Sequence, residues 1–305
     1  MKCLPLFFVF CALGLVLIAC SKPEPPSIEG RPGGPYRMTF STDPAIPRSG
    51  EITVLTSRLT HRSNGKPVSD LQVLHERVIH NFIVKLDFSS FAHIHHEDFV
   101  RLNDTDLKRA ELTFPYVFPT DGNYRIVSEF THRDRSWTKH FDIQVGSIPK
   151  EPKLDSNLAR EKEFGSYRAN LTVSPTIPVA GFETELVLEL AHGDEPVTDL
   201  KLFLGSEVHV ALWRLDGKHF GHTHTYTPHM AAMMAAIQDR AAEPKARAKS
   251  MTKMMVEMMN IPAELIFNGP KIPVHYIFAE PGTYAIFFQC APGGDPQIFD
   301  FMLEI

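Results

Sequence analysis

The chain has 305 residues, 22% of them charged, with 31 Lys and Arg against 36 Asp and Glu and a net charge of −5. That balance, with no basic patch interleaved with aromatics, argues against a nucleic-acid partner. The length suits two domains of modest size.

At the start, Lys2 precedes an apolar run over residues 4–19 that ends in Leu17, Ile18, Ala19 and Cys20. A basic start, a short apolar core and a small residue at the cut describe an export signal, too short for a confident membrane span. Leu-Ile-Ala-Cys resembles the lipobox of bacterial lipoproteins. That resemblance implies cleavage after residue 19, lipidation of Cys20, and an anchored protein of the cell envelope. Ser21, in place of Asp, implies the outer membrane, facing the periplasm. With Cys3 and Cys11 removed and Cys20 acylated, only Cys290 remains, so no internal disulfide forms. A lone thiol of this kind is either buried and inert or a soft metal ligand.

Residues 20–35 are rich in Pro and Gly and suit an extended tether. Beyond it the chain repeats itself. Residues 67–95 and 196–224 align without a gap, with ten of twenty-nine positions identical. Tyr36-Arg37 matches Tyr167-Arg168, and Phe141-Asp142 matches Phe299-Asp300. The first unit is therefore placed at residues 36–146, a polar linker at 147–166, and the second unit at 167–305. Each consists of short runs of alternating apolar and polar residues, such as 51–61 and 183–192, separated by Gly, Pro and Asp turns. This pattern predicts an all-β fold of two tandem β-sandwiches. Late in each unit Asp121-Gly122-Asn123-Tyr124 and Pro281-Gly282-Thr283-Tyr284 set a turn before a strand. They resemble the PGxY turn of bacterial cupredoxin-like and immunoglobulin-like domains, and imply that fold for both units.

Three of the ten shared positions are histidines: His80, His93 and His95 in the first unit, His209, His222 and His224 in the second. Residues two apart in a strand share a face, so each His-x-His pair projects together. In the second unit Asp216-Gly217 is a two-residue hairpin signal that sets His209 opposite His224, with His222 diagonal to it. In the first, any even-length loop puts His80 on the face of His93 and His95. Three imidazoles within reach of one ion suit Cu(II), Zn(II) or Ni(II), and the affinity order favours copper. The alternative is a set of inherited polar residues, hydrogen-bonded at a sandwich edge. Neighbouring His96, Glu97, His219 and His229 are expected to be solvated loop residues.

The second unit carries an insertion at about residues 228–260 with eight of the eleven methionines and, between His229 and Asn260, no leucine. Met230, Met233 and Met234, then Met251, Met254, Met255, Met258 and Met259, recur at helical spacing on either side of Pro244. A helical hairpin with methionine stripes is predicted. Such a stripe can pack, dock a partner, or offer thioether sulfur to Cu(I). Methionine-rich segments of this kind are similar to those of periplasmic copper-handling proteins. Cys290 takes the place of Phe130 and is expected to be a buried strand residue, because the downstream His and Met of a blue-copper site are missing apart from Met302.

No serine nucleophile elbow, HExxH, phosphate loop or paired carboxylates occur, so no enzyme is predicted. The leading expectation is an anchored copper-binding protein for tolerance, storage or delivery to a membrane transporter or metalloenzyme, with zinc as the alternative ion. The competing one is an adhesion or scaffold lipoprotein whose sandwiches bind a protein partner.

Overall fold

The computed structural model describes residues 27–31, 34–147, 157–225 and 269–305. Cys20, His229 and the eight methionines of the insertion lie outside the described residues, and with them the expected signal, lipid anchor and helical hairpin. The strands of the first half are β1 (Ser27–Glu29), β2 (Tyr36–Asp43), β3 (Ile52–His61), β4 (Ile79–Lys85), β5 (Phe91–Ile94), β6 (Glu111–Val117), β7 (Gly122–His132) and β8 (Arg135–Val145). A short helix, α1 (Asp104–Arg109), precedes β6. The second half contributes β9 (Glu161–Phe164), β10 (Tyr167–Ser174), β11 (Glu183–His192), β12 (Glu195–Pro196), β13 (Leu200–Lys201) and β14 (Val208–Arg214). It continues with β15 (Phe220–His224), β16 (Lys271–Ile277), β17 (Thr283–Pro292) and β18 (Gln297–Glu304).

The chain is all-β, built as two tandem sandwiches. In the first, the sheet β1-β2-β3-β6 faces the sheet β5-β4-β7-β8. The second repeats this plan: β10 and β16 flank β11, and β14 lies between β15 and β17, with β18 on the far side of β17. Alternation along β2, where Tyr36, Met38 and Phe40 point inward, places these side chains against Phe114, Phe130 and Phe141 in the first core. Leu171, Leu186, Leu188, Phe288 and Phe301 do the same work in the second. Two strands fall in stretches read as tether and linker. β1 pairs with β2 and β9 with β10 as edge strands. Their residues are exposed or only half-buried, so they carry the polar composition of a linker while still completing a ladder.

Strands β4 and β14, which carry His80 and His209, are buried on both faces. In β4, Ile79 and Ile83 enter the first core, while Phe82 and Val84 point the other way. In β14, Val208, Val210 and Leu212 face the second core and Ala211 and Trp213 face outward. These outward residues meet across the domain boundary in a third apolar cluster with Phe88, Val127, Phe287 and Met302. Phe91 of one sandwich stacks on Phe287 of the other, ring centroids 4.5 Å apart. The two sandwiches thus pack through their histidine-bearing sheets. Removing such aromatic surface from water is a large favourable contribution.

Candidate metal centre

Both hairpins have the same two-residue turn. Leu215 and Lys218 flank Asp216-Gly217, and the ladder pairs Trp213 with Phe220 and His209 with His224. Gly217 has φ +67°, as the turn demands. In the first hairpin the corresponding residue is Phe88, at φ 59° without being glycine. Its ring is buried in the interdomain cluster, and that packing compensates a conformation unfavourable for a bulky side chain. The register then pairs Asn81 with Ile94, which sets His80 on the same face as His93 and His95.

In the first set, three imidazole nitrogens converge. His80 Nδ1 lies 3.1 Å from His93 Nε2 and 3.0 Å from His95 Nε2, and the last two are 3.1 Å apart. The opposite nitrogen of each ring faces an acceptor. Leu74 O accepts from His80 Nε2 at 2.9 Å, Gln289 Oε1 from His93 Nδ1 at 3.0 Å, and Asp98 Oδ2 from His95 Nδ1 at 2.9 Å. A neutral imidazole has one N–H, and here each ring has committed it. The three converging nitrogens therefore present lone pairs to one another with no proton between them, which is repulsive unless a cation sits among them. A triangle of these sides has a circumradius of about 1.8 Å, so an ion with bonds of ~2.0–2.1 Å would sit about 1 Å off its plane. The geometry is that of a tripod.

The second set is built alike. Phe203 O accepts from His209 Nε2 at 2.8 Å, leaving Nδ1 as a lone pair 2.8 Å from His224 Nε2. Glu129 Oε2 accepts from His222 Nδ1 at 2.7 Å, and His222 Nε2 is buried with no hydrogen-bond partner among the described residues. One ligand nitrogen from each of His209, His222 and His224 lies within 4.8 Å of the other two.

Two features connect the sets. The first is a reciprocal exchange: Gln289, in the second sandwich, holds His93 of the first, and Glu129, in the first sandwich, holds His222 of the second. Glu129 stands opposite His80 on the β4–β7 ladder, and Gln289 opposite His209 on the β14–β17 ladder, so they are equivalent residues of the repeat. The second is a seventh histidine. His75 is buried, and its ring centroid lies 3.9 Å from that of His224 and 5.7 Å from that of His209. It sits with Glu76 in a tight turn closed by Leu74 and Arg77, at φ 48° and 64°. Two left-handed non-glycine residues in succession are strained, and such strain gathers at functional sites. His75 Nδ1 is buried without a partner.

Burial dominates the electrostatics. Desolvation, reinforced by neighbouring rings, holds His80, His93, His209 and His224 well below the ordinary imidazole value and takes His75 down to about 3. His95 is lowered by burial as well, against the opposing pull of Asp98. These rings are neutral at physiological pH, the form that binds metal.

Of the neighbouring residues, His96 is not solvated: it is buried, and its Nδ1 donates to Thr113 O at 2.6 Å. It opens the 3-10 helix His96–Asp98. Glu97 is committed too, accepting from Val78 N at 3.1 Å. His219 is part-exposed and pairs with Glu280. Cys290 is fully buried in the second core, which pushes its thiol up to about 12. A further cluster of His61, Asp70 and His132 differs in kind. There His132 Nδ1 meets Tyr36 Oη and Nε2 meets Asp70 Oδ1, so both ring nitrogens are already satisfied.

Fold and site together define a tandem β-sandwich protein with a buried histidine cluster between its domains. The chain belongs to the family described as a domain of unknown function, DUF8832, whose model matches residues 33–147 and 162–305. No curated protein matches it. Among solved structures it is similar to Escherichia coli alpha-2-macroglobulin in its native conformation, at 13% identity and TM-score 0.26, over 90% of this chain and 14% of that one. Salmonella alpha-2-macroglobulin mutant Y1175G gives 12% and 0.26, over 90% of this chain and 15% of that one. The Escherichia coli adhesin FdeC gives 10% and 0.25, over 87% and 63%. The chain thus spans about a seventh of the first of these.

Proposed function

We propose that this is an extracytoplasmic metal-binding protein, anchored to the envelope through Cys20, that holds copper without turnover for tolerance, storage or delivery. The observation that carries the reading is the His80, His93 and His95 tripod, whose three lone pairs converge while each opposite N–H is held by an acceptor. Acceptors bonded to the far nitrogen of a ligating imidazole fix ring orientation and tautomer in metal sites. Neutral imidazoles suit first-row divalent ions, and copper heads the affinity order when geometry does not discriminate, with zinc next to it. The sequence continues from His224 to Met230 in six residues, a reach of at most about 20 Å. In this reading the methionines of the insertion are the soft donors for Cu(I), and a transporter or metalloenzyme is the natural recipient.

Titration of the full-length protein in detergent with Cu(I) under a competing chelator, and with Cu(II) and Zn(II) in parallel, tests this. Tight binding that is lost on replacing His80, His93 and His95 together, and a Cu(I) preference lost on Met-to-Leu replacement in the insertion, are expected. Binding no tighter than that of an exposed histidine tag would sink the reading and leave the scaffold role in front.

A further inference from the structure

Ring separations between the two sets fall within the span of those inside the sets. Centroids of the first set lie 4.6 to 5.3 Å apart and those of the second 4.4 to 5.8 Å. Across the domain boundary His93 is 5.3 Å from His209 and 5.6 Å from His222, and His80 is 5.7 Å from His222. Among the described residues the rings of the two sets are direct neighbours. Resting on the metal-binding reading, we infer that the six histidines form a single dinuclear centre at the domain interface, with two divalent ions joined by a small bridging oxygen donor of the hydroxide class.

Coordination number and charge both call for the bridge. Each ion receives three neutral imidazoles and has a position left for a fourth donor. Two divalent ions bring four positive charges, and the ring-bound carboxylates Asp98 and Glu129 offset two of them. An anionic ligand shared by both ions fills both positions and reduces the mutual repulsion. The exchanged acceptors make the centre depend on docking. His93 is held in place by Gln289 and His222 by Glu129, so each tripod is complete only when the sandwiches are packed together. Glu129 and Gln289 are positioning residues in this scheme, and each ion has one carboxylate behind its rings, Asp98 for the first set and Glu129 for the second.

The experiment loads the full-length protein with Cu(II) and compares integrated electron paramagnetic resonance intensity with bound copper. Two ions per chain with intensity far below two spins, or with a half-field line, is the expected result. Two ions at full, uncoupled intensity, or one ion shared by all six rings, would overturn the inference while leaving metal binding intact. Absence of any imidazole-bound ion would instead bring down the function itself. A second arm uses Glu129→Gln, which keeps the shape and makes the residue match its counterpart Gln289. Loss of about 10–100-fold in affinity for one ion only is expected, with an isolated Cu(II) spectrum from the other. Unchanged affinity for both ions would overturn the cross-domain arrangement.

Discussion

Symmetry is broken at single residues. Where the second unit has Leu204 and Gly205 in the tight turn, the first has His75 and Glu76 in the same left-handed conformations. Leucine and glycine satisfy that turn without leaving a buried nitrogen unpaired, whereas His75 Nδ1 has no partner among the described residues. An unsatisfied buried polar atom costs about 1–3 kcal/mol. Retaining one beside His224 is understandable if an ion supplies the missing partner. His75→Leu should therefore raise the thermal midpoint of the metal-free protein and weaken metal binding to the second set by about tenfold. Calorimetry of the free protein alongside a chelator competition reads both effects, and a variant that is stabilised with unaltered affinity would show His75 to be packing alone.

The hairpin is the element that aims the histidines, and its turn is held from the other domain. Arg125 of β7 donates to Gly217 O at 3.0 Å and to Asp142 at 2.7 Å. A methyl on Gly217 would overlap the Arg125 guanidinium, in a conformation that already disfavours any side chain. Gly217→Ala should lower the denaturant midpoint by an equivalent of about 1–3 kcal/mol. An unaltered midpoint would mean that the turn does not bear on domain docking. The register of this hairpin was legible in the sequence because Asp216-Gly217 admits few turn geometries, and with it the facing of His209 and His224. The first hairpin was less so, since Phe88 occupies the glycine position for a reason that lies in the other sandwich. A further sign lies in residues 82–84 and 210–213, which are apolar in succession rather than alternating. Such runs mark strands buried on both faces, which a free-standing two-sheet sandwich does not need. Glu129 and Gln289 occupy equivalent places in the repeat, yet what they hold depends on apposition of the sheets, which no periodicity encodes.

At the scale of the whole molecule, the domains are joined by the cluster of Phe82, Trp213 and Phe287 at one end of the interface and by neutral histidines at the other. Burying imidazoles couples stability to pH, and the sign follows from where the protons go. Unfolded histidines titrate near 6.5. In the folded protein His80, His93, His209 and His224 stay neutral well below that, and His75 down to about 3. Between those limits the unfolded chain binds more protons, so stability rises with pH across the window and is lost as pH falls below 6.5. Above that value these groups contribute no slope. A bound ion reinforces the effect, because it binds the neutral rings and, at a hundred times its dissociation constant, adds about 2.7 kcal/mol. Denaturant midpoints measured from pH 8 to pH 4 should be flat for the metal-free protein down to about 7 and then decline. Metal-loaded protein should lie above that curve at neutral pH and fall onto it as acid expels the ion. A metal-free midpoint that holds level from pH 7 to pH 5 would mean that these rings take up protons in the folded state, opening the interface to water and disarming the tripods.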